Sequence, residues 1–195
     1  MYVLFEGIDR AGKSTQIAIL RQKFPEALIT KEPGGTKLGE RLRELILHTQ
    51  NPSPYAELFM FLADRAEHIA KVIKPNRDKL IVSDRGYISG IAYAAQKVDL
   101  SIEELRHLNE VAMQGVRPDK IIFLELGPEE LARRMGAYEL DNIEARGVEY
   151  LLDVQEQMKN LIVSSTIAYR IIDASLPKER IAKEIEDFIK DGNGD

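Results

Sequence analysis

The stretch Gly7-Ile8-Asp9-Arg10-Ala11-Gly12-Lys13-Ser14-Thr15 constrains this 195-residue chain more than any other. It has the spacing G-x-x-x-x-G-K-S, follows the apolar run Tyr2-Val3-Leu4-Phe5 and precedes an amphipathic segment from Gln16 to Phe24. A strand, a glycine-bearing turn and a helix form the setting in which this spacing cradles phosphate. Gly7 and Gly12 let the backbone turn tightly and aim successive N–H groups inward. The helix starting near Lys13 offers unpaired N–H groups and a partial positive charge to an anion. Lys13 is then expected to reach the β- and γ-phosphates of a nucleotide, and the Ser14 hydroxyl to ligate Mg²⁺. An ordinary glycine-rich βα turn is the other reading, and the placement between strand and helix tells against it.

The length suits one domain, expected over residues 1–190, and suffices for a substantial core. A hydrophobic fraction of 44% and a charged fraction of 30% fit a soluble globular protein. No run of 18 apolar residues is present, so no membrane span is expected. The N-terminus enters a strand at once, which leaves no room for a signal peptide. With zero cysteines, disulfides, thiolate metal sites and thiol nucleophiles are excluded. Cytoplasmic residence is the simplest expectation. A net charge of -5 argues against a nucleic-acid-binding surface. An anionic substrate therefore has to be drawn in by a local cluster of Arg and Lys, with Mg²⁺ helping.

Further strands are expected at Ala27–Thr30, Leu80–Ser83, Asp119–Leu126 and Tyr169–Asp173. Between them lie helical patterns. Leu38, Leu42, Leu45 and Ile46 mark one, and Leu58, Phe61, Leu62, Ile69, Val72 and Ile73 mark one longer helix. Others are expected from about Ser89 to Gln96, Ser101 to Gln114, Pro128 to Arg134, Val148 to Ser165 and Lys178 to Ile189. Ser101 with Glu104 forms a capping-box signature. Five strands alternating with helices make a three-layer α/β fold with a parallel sheet covered on both faces. Periodicity fades over about 135–147, the best candidate for a mobile lid, and 191–195 reads as a disordered tail.

Asp84 follows the third strand, and a carboxylate at the C-terminal tip of a parallel strand lies where open α/β sheets bind ligands. Beside a phosphate loop it would hold the Mg²⁺ shell through water. A helix N-cap is its other possible role; the metal role is favoured and the two can coexist. Arg10 sits inside the loop, Arg85 directly after Asp84, and Arg43 and Arg65 on the next two helices. Guanidinium groups fork onto phosphate oxygens, and phosphoryl transfer needs fixed positive charge. Phe61 and Arg65 share one helix face. Spacing alone favours a core role for Phe61 over stacking on a base.

Taken together, these residues resemble the thymidylate kinases, P-loop nucleoside monophosphate kinases that phosphorylate dTMP with ATP. The resemblance runs through Phe5 to Gln16, Glu32-Pro33-Gly34-Gly35-Thr36, Leu42-Arg43, Phe61-Leu62-Ala63-Asp64-Arg65, Asp84-Arg85, Ser89 to Tyr93, Arg117-Pro118-Asp119 and Asp173-Ala174. It implies the P-loop kinase fold and assigns Gly7 to Thr15, Arg133 and Ala174 to ATP, with Arg133 over the adenine. Phe61 would stack on thymine, which reverses the reading from spacing, and Arg65 would bond its O4. Arg43 and Arg85 would grip the dTMP phosphate. Tyr93 would crowd a 2′-hydroxyl, Asp9 would lie near the 3′-hydroxyl, and Glu32 and Gly90 would line the same site. The resemblance also implies Mg²⁺ at Ser14 and Asp84, and a homodimer formed through the long helices.

The chain departs from the family at three places. One branch supplies its catalytic arginine from the lid as Asp-Arg-Ile-Glu, where this chain reads Asp141-Asn142-Ile143-Glu144. The other branch supplies it after an aspartate in the P-loop, as Asp9-Arg10 does here. Arg10 is therefore expected to stabilise the transferring γ-phosphoryl group, together with Lys13, Asp9 and Arg85, while Arg146 remains in the lid. Ala94 follows Tyr93 where many bacterial members have Gln, and Gly90 offers only backbone. The rival readings are a P-loop kinase for another nucleotide or a deoxynucleoside, and a GTPase switch. The switch would need a guanine-reading Asn-Lys-x-Asp, which the sequence lacks.

Overall fold

Val3, Leu4 and Phe5 are wholly shielded from solvent, as are Ile121, Ile122, Phe123 and Leu124. Strands apolar on both faces belong in the middle of a covered parallel sheet, and that is where the computed structural model places them. It describes residues 1–49, 52–136 and 147–191. The strands β1 (Tyr2–Glu6), β2 (Leu28–Lys31), β3 (Ile81–Asp84), β4 (Lys120–Glu125) and β5 (Ala168–Asp173) are ordered β2-β3-β1-β4-β5, with every pairing parallel. Strand ends differ from the sequence expectation by a residue or so. In the β1–β3 register Phe5 faces Asp84, so the glycine-bearing loop and the Asp84-Arg85 pair leave the same edge of the sheet side by side.

The connections are α1 (Lys13–Lys23), α2 (Lys37–His48), α3 (Pro54–His68), α4 (Tyr87–Ala95), α5 (Ile102–Met113), α6 (Pro128–Met135), α7 (Val148–Val163) and α8 (Lys178–Lys190). Local chemistry sets several starts. Thr36 and Ser53 cap α2 and α3 through their hydroxyls, with Pro54 opening α3, and Ser101 and Glu104 form the expected reciprocal box on α5.

One expectation needs correcting. The single long helix drawn from Leu58 to Ile73 is not continuous. α3 ends at His68, and Ile69–Ile73 form a π turn followed by a 3₁₀ turn, Lys74–Asn76. Ile69 and Ile73 leave the main core for a second cluster with Tyr2, Ile81 and Val116, and the wider turn brings both of them onto it. The helix expected from Leu38, Leu42, Leu45 and Ile46 is present as α2, although Leu38 and Leu45 are 48% and 52% exposed on it. The expected lid falls outside the described residues over 137–146, including Asn142 and Arg146, and so does the tail over 192–195. Among the described residues no helix is long and apolar enough to cross a membrane.

Candidate active site

Gly7 takes φ +142, and a Cβ there would lie 2.6 Å from the Leu124 carbonyl oxygen, so only glycine lets the loop cross β4 this closely. Gly12 at φ +91 then turns the chain into α1. Lys13 folds back over the loop, its Nζ donating to the carbonyls of Gly7 and Ile8 at 2.9 and 3.0 Å. Burial and the nearby Arg85 charge lower its ammonium to about pKa 8. Ala11 is buried beneath the loop, while Ser14 and Thr15 are exposed at its mouth.

A cleft of about 650 Å³ opens above this loop, lined by Asp9, Arg10, Gly12, Lys13, Ser14, Thr15, Glu32, Arg43, Asp84, Arg85 and Arg133 among others. A narrower slot of about 150 Å³ continues between α3 and α4. It is lined by Asp9, Glu32, Arg43, Phe61, Arg65, Arg85, Gly90 and Tyr93, with apolar walls from Ile46, Leu47 and Leu58. Asp9, Glu32, Arg43 and Arg85 line both.

Arg85 is the hinge of the junction. Its φ is +68, and its guanidinium donates to Asp9 Oδ1 (2.6 Å), the Gly7 carbonyl (3.0 Å) and Ser89 Oγ (2.9 Å). Burial alone would raise Asp9, yet the cations of Arg85 and Lys13 hold its carboxyl below the usual range. The Tyr93 hydroxyl donates to Asp9 Oδ2 at 3.3 Å, and Arg85 lies 5.7 Å from the Tyr93 ring centre. Arg43 reaches back to the Pro33 carbonyl at 3.1 Å.

Behind the slot runs a buried polar chain. Thr30 Oγ1 and His68 Nε2 share a hydrogen bond of 2.7 Å, and His68 Nδ1 and Glu32 Oε1 share one of 2.8 Å. Glu32 Oε2 lies 2.9 Å from Arg65 Nε, and Arg65 Nη1 donates to Asn109 Oδ1. Burial works to raise Glu32, but Arg65 and His68 keep its carboxyl below its ordinary value. Gly90 makes room for this arginine, since a Cβ there would lie 2.9 Å from Arg65 Nη2. Phe61 is half-buried at the slot wall instead of packing into the main core, contrary to the reading from spacing.

Two placements differ from a simple carry-over. Arg133 lies on the rim with its side chain 72% exposed and bonded to Glu130. Ala174 lies outside the cleft lining, but its carbonyl accepts from Arg134 at 2.8 Å. Asp84 does not cap α4, whose first N–H groups are held by Glu6: Gly86 and Ser89 donate their amides to Glu6 Oε1 at 3.1 and 3.2 Å. Asp84 Oδ1 is buried and has no hydrogen-bond partner among the described residues. His68 and Asn109 have no part in the sequence reading; Glu6 stands there only within the motif Phe5 to Gln16, and Arg134 only as the end of an expected helix and an alternative to Arg10 as the catalytic charge. Only Glu6 carried a local signal, an acid directly after an apolar strand.

Comparison with known proteins follows the same outline. A family model described as thymidylate kinase matches residues 5–185. A thymidylate kinase of Aliarcobacter butzleri (strain RM4018) is 52% identical over 189 residues, covering 97% of this chain and 98% of the relative. One from Campylobacter concisus (strain 13826) is 53% identical over 192 residues, with 97% and 98% covered. One from Sulfurovum sp. (strain NBC37-1) is 48% identical over 190 residues, with 97% and 100% covered.

Proposed function

The chain belongs to the thymidylate kinase family and is an ATP-dependent phosphotransferase that converts dTMP to dTDP, and we propose that transfer occurs where its two clefts join. The observation that carries this reading is the set of four residues, Asp9, Glu32, Arg43 and Arg85, common to both linings. A donor lying on the phosphate loop and an acceptor filling the slot would meet there.

In this reading ATP lies along the loop, with the N–H groups from Gly7 to Thr15 and Lys13 on its phosphates. Arg133 and the Ala174 loop flank the base. dTMP enters the slot with thymine on Phe61, its O4 toward Arg65 beside Gly90, and its sugar against Tyr93 and Asp9. Arg43 and Arg85 hold the acceptor phosphate, which competes with acceptors those arginines already have. Glu32 serves by holding Arg65 and takes no part in the transfer itself.

The residues also fit Mg²⁺. Ser14, which is exposed, and Asp84, whose Oδ1 is buried without a hydrogen-bond partner among the described residues, both line the cleft, and hard cations take such oxygen donors. Ser14 and Asp84 would hold the ion, which when bound with ATP neutralises charge on the phosphates. A dTMP phosphate oxygen attacks the γ-phosphorus, and the bond to the bridging oxygen breaks to release ADP. The monoester is already largely ionised near neutral pH, with a second pKa of about 6, so no strong general base is needed. Arg10 supplies fixed positive charge to the transferring group, and Lys13 supplies it to the bridging and terminal oxygens.

Two finer features belong to the same proposal. Leu38, Leu45, Leu47, Tyr55 and Phe59 expose a band of apolar surface on α2 and α3, Phe59 by 56%, and a second copy of the chain covers it. The enzyme works in the cytoplasm. Steady-state rates with dTMP, dUMP, dCMP and thymidine as acceptors, with and without Mg²⁺, test the whole reading. Metal-dependent turnover highest on dTMP supports it; preference for thymidine or dCMP would overturn the assignment of the slot.

A further inference from the structure

Arg134, near the end of α6, uses its guanidinium on three separate segments. Nε donates to Glu130 Oε1 one turn back (2.6 Å), Nη1 to the Arg10 carbonyl (2.8 Å) and Nη2 to the Ala174 carbonyl (2.8 Å). A return contact runs from Arg10 Nη1 to the Arg134 carbonyl at 3.4 Å. Each arginine therefore holds the main chain of the other across 124 positions of sequence. The contact matters because Arg10 has φ +64, a left-handed conformation that a non-glycine residue keeps only when its surroundings impose it. Arg134 bonds the carbonyl of the residue held in this conformation. The Arg10 guanidinium meanwhile rests on a carbonyl at the C-terminal end of a helix, where a cation is favoured. The neighbouring Arg133 has only Glu130 among these partners, in an exposed pair of little energetic weight.

We propose that Arg134 is a positioning residue for phosphoryl transfer: it fixes the backbone of Arg10 and the Ala174 loop at a set spacing, so that the Arg10 side chain is poised above the phosphate loop. This rests on the reading of Arg10 as the charge that stabilises the transferring group. A guanidinium suits the task because its planar fork presents separate N–H groups to two carbonyls, where lysine has a single nitrogen.

A double-mutant cycle on the full chain tests the proposal, with Arg134→Met, Arg10→Ala and the pair. The carbonyl of residue 10 survives in Arg10→Ala, so a purely structural Arg134 would be missed equally in both backgrounds. The expected result is that Arg134→Met lowers kcat by roughly 10- to 100-fold and raises KM for ATP. KM for dTMP should stay within about twofold, and in the Arg10→Ala background the further loss of kcat should be less than about threefold. Arg134→Lys, which keeps charge and stem, should fold and show the same coupling at smaller amplitude; thermal unfolding of each variant checks that it is folded. Equal factors in both backgrounds, or an effect confined to KM for ATP, overturn the positioning role. If Arg10→Ala alone leaves turnover near normal, the reading of Arg10 falls and this proposal with it. A collapse in Arg10→Ala combined with additive losses removes the proposal alone.

Discussion

Arg65 is clamped between the Glu32 carboxylate and the Asn109 amide, which leaves Nη2 beside Gly90 and toward the slot. Truncating it to alanine would strand the Glu32 charge in the interior, a change that destabilises proteins strongly. Arg65→Lys is the cleaner probe, because it keeps a cation by Glu32 and removes the fork. It should narrow the dTMP/dCMP ratio of kcat/KM by about tenfold or more, and an unchanged ratio would refute base reading by this residue. Lys13 makes a second prediction. Its ammonium sits at about pKa 8 in the free enzyme, so raising pH through that value removes the charge that receives ATP. kcat/KM for ATP should fall on an alkaline limb near pH 8, while kcat stays level further up because bound phosphates retain the proton. Parallel limbs for the two parameters, or a flat kcat/KM to about pH 9.5, would count against it.

At the scale of elements, α4 depends on a residue that is not its own. Glu6, at the end of β1, accepts the amides of Gly86 and Ser89, and its carboxylate also bonds the Ser89 hydroxyl that contacts Arg85. Burial pushes the Glu6 carboxyl up, and Ser89 and Arg85 partly offset this. Glu6→Ala should cost about 2–4 kcal/mol by stranding buried donors, lowering Tm by roughly 5–15 °C. Glu6→Gln keeps one acceptor oxygen and should lose less; equal losses would show that the helix start is not held this way. The strands were legible in the sequence because β1 and β4 are apolar on both faces, and Ser101 with Glu104 announced α5 by local capping chemistry, whereas the caps at Thr36 and Ser53 emerged only from the structure. The end of α3 was not legible. Ile69, Val72 and Ile73 keep a helical spacing while the backbone widens to a π turn, and periodicity registers burial without registering which core receives it. The phosphate loop was readable from its own spacing, and the slot residues only through the family resemblance, since spacing alone put Phe61 in the core. The Glu32–His68–Thr30 chain and the long-range contacts of Asn109 and Arg134 were not readable, since those partners lie 36 to 124 positions away and no local pattern encodes them.

For the whole molecule, the exposed band on α2 and α3 is the surface a second copy should bury. The protein should sediment at twice 22.1 kDa at micromolar concentration, and Phe59→Glu should shift it to 22.1 kDa. A monomeric unsubstituted protein would refute the dimer. The account as a whole turns on the loop between β1 and α1, which in this reading supplies the catalytic cation as well as the phosphate cradle. The direct measurement is turnover and dTMP binding in Arg10→Ala. The account predicts a kcat lower by about 10³-fold or more, with dTMP affinity within about threefold of the unsubstituted enzyme, since Arg10 lines the donor cleft and not the slot. Near-normal turnover in that variant would contradict it and move the catalytic charge to another guanidinium.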